Sequence, residues 1–376
     1  KSAYYPTLDA SASLSERLGD AAVPGAERQT QLGLSSQWLL WDFGGRRANL
    51  DSTQQTLAAL QASQDTVSQQ VAISAVQNWF AQLSARASLQ AAQASLLAAE
   101  ETAKAARQRQ LIGVATREDE LQAETALAQA RLTLIQRQGE LAASAGRLAV
   151  VAGYAADTPL ALDYQDSELD SLRGNASAQP PDLKQLLTVA QERRPELLAQ
   201  QLRIQANSSE LDRIAAQARP RLSLSASSSN SRDNLNQSQG GQVALTATLP
   251  LFSGFQQRHQ EALAQSQIAE QGIELSRLRQ QVSLDVWLAW QQFSTAQARI
   301  TATDSLLAAA SESSRAALAR YQAGLGNLLN VLTAQSNLAD ARQQHARSRF
   351  DLAAARLQLA QASGLLVRDT AMEFRP

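Results

Sequence analysis

Apolar positions follow two rhythms along this chain, and each rhythm occurs twice. In "YPTLDASASLS", Leu8, Ala10, Ala12 and Leu14 share one phase, and Thr7, Asp9, Ser11 and Ser13 the other. "RPRLSLSASSS" repeats the alternation, with Leu222, Leu224 and Ala226 opposite Ser223, Ser225 and Ser227. Each is followed by a polar, Gly-containing loop and a second alternating stretch. Leu32 and Leu34 are in phase in the first of these, and Val243, Leu245, Ala247 and Leu249 lie opposite Thr246 and Thr248 in the other. Period-2 alternation predicts strands with one apolar and one polar face, over about 5–16, 31–42, 220–230 and 241–252. After each strand pair the step changes to three and four, as in Ile73, Val76, Phe80, Leu83 and Ala87. The second instance runs through Leu275, Leu278, Val282, Val286, Ala289, Phe293, Ala296 and Ile300. These coiled-coil-like seams predict long helices over about 44–111 and 255–322, and shorter ones over about 117–151 and 328–363. No proline interrupts either span, and Ala, Leu, Gln, Glu and Arg dominate both. At 1.5 Å per residue each long helix reaches about 100 Å, a length that no compact domain needs.

The two halves are copies. Gly113 and Gly324 lie 211 residues apart, and the same shift pairs Val71 with Val282, Trp79 with Trp290, Leu121 with Leu332 and Ala123 with Ala334. It also pairs Leu127 with Leu338, Arg131 with Arg342, Leu148 with Leu359 and Gly153 with Gly364. The chain therefore divides into repeat one over 1–153, an irregular connector over 154–194, repeat two over 195–364 and a tail over 365–376. Pro195 opens an additional helix to about Ala218, as proline does at a first helical position. Repeat one begins at its strand without such a helix. The expectation is that the natural protein extends further at this end, with an export signal or a lipidated cysteine.

Composition narrows the function. Net charge is −1, without the Lys/Arg excess that nucleic-acid binding uses. There is no cysteine, which excludes disulfides, zinc fingers and thiol catalysis for these residues. His259 and His345 stand singly in polar helical stretches, so no metal site or cofactor is expected. Asp42-Phe43-Gly44 spells a kinase metal-binding triplet, but no phosphate loop, Lys–Glu pair or His-Arg-Asp loop accompanies it. Gly324-x-Gly326 follows no strand and is no dinucleotide fingerprint. No enzyme is expected. No run of about 18 apolar residues predicts a membrane-spanning helix, a criterion silent about barrel strands.

Four strands cannot close a barrel, and the helical seams also need neighbours, so cyclic oligomerisation is expected. Strands apolar on one face and polar on the other suit a wall between lipid and water. Tyr4, Tyr5, Trp38, Trp41, Phe43, Phe252 and Phe255 gather where strands meet helices, around Gly44, Gly45 and Gly254. They read either as an interfacial girdle or as ordinary packing at a joint.

With these features, and with "LWDFGGRR", "PLFSGFQQR", "RRPELLAQQLRIQAN", "LIGVATREDELQAETALAQA" and "YQAGLGNLLNVLTAQSNLADA", the chain resembles the TolC-type outer-membrane export ducts over nearly its whole length. The resemblance implies a mixed α/β membrane protein: a homotrimer sharing a 12-stranded barrel in the outer membrane of a Gram-negative-type cell, with a helical tube in the periplasm. It implies an exit duct for a tripartite efflux pump or type I secretion system, powered by an inner-membrane pump. The turns Gly113-Val114-Ala115-Thr116 and Gly324-Leu325-Gly326-Asn327 would meet a periplasmic adaptor. Relatives often carry two acidic rings beyond the second turn; here those positions are Asn330 and Thr333. The first-repeat counterparts are Asp119, flanked by Glu118 and Glu120, and Gln122. Asp119 and Tyr321 match positions that latch the closed tip, while the basic latch partner falls on Gly326. A trimeric stalk or adhesin explains the seams but not the recurring strand pairs, and a passive porin does not need the helices. Drugs, metals and polypeptides all fit such a duct.

Overall fold

A computed structural model describes residues 2–17, 27–160, 181–232 and 237–366. A single 3-10 turn, Ser2–Tyr4, precedes the first strand. The elements that follow are β1 Thr7–Arg17, β2 Glu27–Trp41, α1 Gly45–Leu111, α2 Arg117–Val151, α3 Leu183–Arg193 and α4 Pro195–Ala216. They continue with β3 Arg221–Arg232, β4 Gln237–Thr248, α5 Gln256–Gln322 and α6 Leu328–Ala362. The fold is the duplicated strand–strand–long helix–short helix plan. Its compact units cut across the two repeats: one holds 1–63 and 196–278, the other 64–195 and 279–376.

In the first unit the strands form one antiparallel sheet in the order β1-β2-β3-β4, which leaves β1 and β4 each with one unpaired edge. The register sets Ala10 beside Leu34 and Ala12 beside Leu32. It then sets Trp38 beside Leu224, and Leu224 and Ala226 beside Leu245 and Val243. One face is thus apolar, while the other carries Ser11, Gln31, Ser35, Ser225, Ser227 and Thr246. Leu8, Leu14, Leu32, Val243 and Leu245 all stand exposed on the apolar face of the single chain. β4 starts at Gln237 and stops at Thr248, four residues short of the expected end, because Pro250 has no N–H for a ladder. β2 begins at Glu27, earlier than expected. A bulge between Leu39 and Trp41 gives this strand one residue more than β3 there.

In the second unit small side chains form much of the core, with Ala92, Ala99, Ala106, Ala123, Ala149, Ala341 and Ala355 buried. Close helix packing follows from that. Phe80, Leu83 and Phe350 fill one layer between α1 and α6, and a buried hydroxyl pair, Thr303 with Ser348 at 2.8 Å, ties α5 to α6. The connector is not wholly irregular. α3 is capped by the Asp182 side chain, which accepts from the Lys184 N–H at 3.1 Å, and it buries Leu186 and Ala190 one turn apart. It ends at Arg193, and the following cap residue, Arg194, has the extended backbone that suits a residue before proline. Residues 161–180 of the connector, and the tail beyond 366, lie outside the described residues, as does any segment before residue 2.

All four helix ends in register close alike. The Val114 N–H reaches the Arg109 carbonyl and the Gly113 N–H that of Gln110, and Leu325 and Gly324 repeat this on Arg320 and Tyr321. Tyr154 with Gly153, and Leu365 with Gly364, do the same on α2 and α6. This double closure needs a left-handed residue, and Gly113 and Gly324 each take φ +78°. A Cβ at either would meet nothing within 4 Å, so any cost of adding one lies in the backbone. Gly113→Ala and Gly324→Ala should each weaken the local closure by about 1–2 kcal/mol, seen as faster hydrogen exchange at the glycine and following amides. Gly139→Ala, inside α2, should instead stabilise by about 0.5–1 kcal/mol.

Candidate functional site at the helix turns and strand–helix joints

The expected site residues fall into two groups, one in each unit. At the joints, the chain turns from strand to helix through two successive left-handed residues. In repeat one these are Phe43 (φ 52°) and Gly44 (φ 96°); in repeat two, Gly254 (φ 62°) and Phe255 (φ 64°). The corner keeps the shift of 211 while Phe and Gly exchange places within it. Gly45 is needed for space instead, since a Cβ there would stand 3.1 Å from Asp42 Oδ2 and 3.4 Å from the Ala216 Cβ. The aromatics pair edge-to-face, Trp41 with Phe43 at 6.0 Å and Phe252 with Phe255 at 5.5 Å. Tyr5, Trp41, Phe43, Phe252 and Phe255 stay exposed.

Arg46 holds the first joint, a role the sequence reading does not assign. Its guanidinium donates to the Leu39 carbonyl at 2.6 Å and the Leu40 carbonyl at 3.0 Å, at the β2 bulge where the ladder breaks. It also lies 4.8 Å from the Tyr4 ring centre and pairs with Asp42 at 3.5 Å. Asp42 in turn accepts the Arg46 backbone N–H at 2.6 Å and serves the helix start. The kinase-like aspartate is thus consumed by a cap. Tyr4 joins through its carbonyl, which accepts from Trp38 Nε1 at 3.1 Å.

At the helix turns, Thr116 and Asp119 form a reciprocal capping box on α2. The Thr116 hydroxyl accepts from the Asp119 N–H at 3.1 Å, and Asp119 Oδ2 accepts the Thr116 N–H at 3.0 Å. The Thr-x-x-Asp spacing is a readable signal for this. Asn327 caps α6 more simply, accepting from the Asn330 N–H at 3.0 Å. Gln122 donates to Glu118 at 3.1 Å, and Thr333 is exposed. Glu120, 4 % exposed, pairs with Arg117 and lies 3.9 Å from Arg107.

Tyr321 is buried among Ala103, Ala106, Ala123, Leu328 and Val331. Arg109 donates to its backbone carbonyl and stacks 4.6 Å from its ring centre. The Tyr321 hydroxyl has no partner, and Asp119 is bonded to Thr116 instead, so no Asp119–Tyr321 hydrogen bond forms. Burial, offset in part by Arg109 and reinforced by Asp119, pushes the phenol above its usual range. At Gly326 a Cβ would meet Arg320 Cβ and Tyr321 N at 3.4 Å, ordinary contact distances, so the glycine leaves the basic latch position empty without a steric demand for it. Among the described residues no cluster of metal-ligating groups occurs, and no helix is long and apolar enough to cross a membrane.

The model of the outer membrane efflux protein family matches residues 1–154 and 186–365. The chain belongs to that family. Its sequence is 29% identical to Protein CyaE of Bordetella pertussis over 373 residues, 98% of this chain and 77% of that relative. Its fold is similar to CusC (TM-score 0.80, 22% identity, 96% of this chain and 84% of that one). It is also similar to VceC of Vibrio cholerae (TM-score 0.76, 21% identity, 96% and 88%), and to the open-state MtrE channel of Neisseria gonorrhoeae (TM-score 0.78, 20% identity, 96% and 81%). This member of the outer membrane efflux family is therefore an outer-membrane exit duct of an efflux or secretion system, with a periplasmic helical part. The family is one of transport ducts rather than enzymes.

Two outcomes test the geometry. Arg46→Ala should leave the Leu39 and Leu40 carbonyls unpaired and destabilise by about 1–3 kcal/mol, read from the unfolding midpoint in detergent; Arg46→Lys, lacking the fork, should rescue little of it. Tyr321→Phe should be neutral or stabilising by up to about 1 kcal/mol at pH 7, since it deletes an unpaired buried hydroxyl. The wild-type protein should lose stability relative to this variant as pH rises above about 10, where the unfolded phenol ionises first.

Proposed function

We propose that three copies of the chain close a 12-stranded barrel, β4 of one pairing with β1 of the next, and that their helices form one gated tunnel. The observation that carries this is the sheet's pair of unpaired edges beside an exposed apolar face. In a bilayer neither edge can find water, and closure is the remedy. The opposite face then lines the lumen with Ser, Gln and Thr, a wetted surface with little charge. Tyr4, Tyr5, Trp41, Phe43, Phe252 and Phe255 are the belt at the membrane boundary, with Gly44, Gly45 and Gly254 shaping the corner beneath.

The turns Gly113–Thr116 and Gly324–Asn327 are the docking points for a periplasmic adaptor that links the duct to an inner-membrane pump. Leu325 is 82 % exposed, and Ile112 and Val114 at the other turn are exposed too, apolar side chains that a docked partner would cover. A groove of about 760 Å³ lined by Glu118, Leu121, Gln122, Thr125, Leu329 and Leu332 opens near them. The gate is the surrounding group: Glu118, Asp119, Gln122, Tyr321, Asn330 and Thr333. Its opening is a population shift driven by differential adaptor contact, with energy supplied by the pump.

Asp119→Ala should raise the leak conductance of the trimer in planar bilayers. Because Asp119 also caps α2, Asp119→Asn separates the roles: it keeps an acceptor for the cap and removes the charge. A gate built on charge leaks in both variants, one built on helix-end order leaks only in the alanine variant, and unchanged conductance in both removes Asp119 from the gate.

A further inference from the structure

The ends of the two long helices are equivalent by the duplication, yet only one of them is fully served. Tyr321, in the last turn of α5, offers a backbone carbonyl that accepts the Gly324 N–H at 3.0 Å. The same carbonyl accepts a second donor, the Arg109 guanidinium of α1, which also stacks 4.6 Å from the Tyr321 ring centre. A cation is thus held at the negative end of a helix, where the dipole favours it. The two hairpins of one chain are tied together at their tips.

The shift of 211 gives this contact a twin. It lays Arg109 on Arg320 and Gln110 on Tyr321. The Gln110 carbonyl accepts the Gly113 N–H at 3.0 Å, but among the described residues no second donor reaches it. Arg320 is exposed, and its guanidinium bonds nothing among those residues. Gln110 and Arg320 each stand one residue, about 100° of helix rotation, from the pair that fills the seam within the chain. One chain therefore holds one finished contact and both halves of an unfinished one.

In a closed ring of alternating repeats, the second hairpin meets a first hairpin twice, once in its own chain and once in the next. We propose, on the reading of the chain as such a trimeric ring, that Arg320 clasps the Gln110 carbonyl of the next subunit. It repeats across the boundary between copies what Arg109 does within one, and it holds the closed tip shut.

The surrounding side chains explain why this boundary needs a clasp. Within the chain, Ala103, Ala106 and Ala123 pack with Tyr321, Leu328 and Val331, all buried. The shift replaces them by Ser314, Ala317 and Ala334 with Gln110, Arg117 and Glu120. The seam between subunits thus lacks the aromatic ring and both large aliphatic side chains, and it carries charge in their place. Buried apolar area holds the first seam, whereas the second relies on polar contacts that water can replace. The tip parts along the subunit boundaries, while the two hairpins of each chain stay together.

The chain has no cysteine of its own, so thiols can be placed at will in the full-length protein. In Gln110→Cys/Arg320→Cys, a short bismaleimide should join subunits, giving dimer and trimer bands on a denaturing gel. The same treatment should lower the leak conductance in planar bilayers below that of the untreated variant. Arg320→Ala should raise the leak about three- to tenfold, the worth of one hydrogen bond at each boundary, and Arg320→Lys should recover part of the closure. Where the cysteine pair does not assemble, the alanine and lysine conductances decide alone. A trimer that cross-links only within single chains, or whose leak ignores Arg320→Ala, overturns the clasp and leaves the ring standing. A wild-type protein that is monomeric by light scattering in detergent overturns both.

Discussion

A strand edge in hydrocarbon has no water to bond, and much of this protein follows from that. The sheet of one chain has four strands and two bare edges. Leaving them bare in a membrane costs several kcal/mol per unpaired group, so the chain cannot be a finished membrane object. The exposed apolar face carries the same message in side chains, and the hydroxyl-rich opposite face shows which side meets water. The oligomer is thus demanded by the backbone before any contact between subunits is considered.

The same accounting explains the local devices. Where β2 bulges, Arg46 reaches back from the first turn of α1 to bond the Leu39 and Leu40 carbonyls. Where the strand becomes a helix, two left-handed residues turn the chain. The exchange of Phe-Gly for Gly-Phe shows that the backbone corner, rather than the order of side chains, is what both repeats retain. Where helices end, glycines close the last carbonyls by the same pair of bonds. Each junction solves one hydrogen-bond deficit with residues within a few positions of it.

Locality also decides what could be read from the sequence. Period-2 strands, long seams and helix-ending glycines are local signals, and the duplicated plan was visible in them. Helix α3 is hidden because the prolines of the connector, Pro159, Pro180 and Pro181, read as an irregular path, whereas a proline just before an Asp cap is compatible with a helix start. Arg46 could not be assigned because its partners exist only once β2 bulges against β3. Arg109 and Tyr321 lie 212 residues apart, and no spacing rule connects them. Asp119 carries two signals at once: a likeness to known gates places it, with Tyr321, among the positions that latch a closed tip, while the Thr116-x-x-Asp119 spacing points to a cap, and within the chain the cap bond forms.

The two long helices have 67 residues each, and the two short ones 35 each. Because each is stopped by a glycine closure and started by a fixed corner or cap, none can slide to absorb a change in length. The molecule therefore carries a calibrated ruler in duplicate. A residue inserted in one long helix would rotate everything beyond it by about 100° and shift it by 1.5 Å relative to its twin. Length can then evolve only through matched insertions of about seven residues in both halves, which makes equal helix length a heritable constraint and the tunnel's depth a quantity that changes in steps.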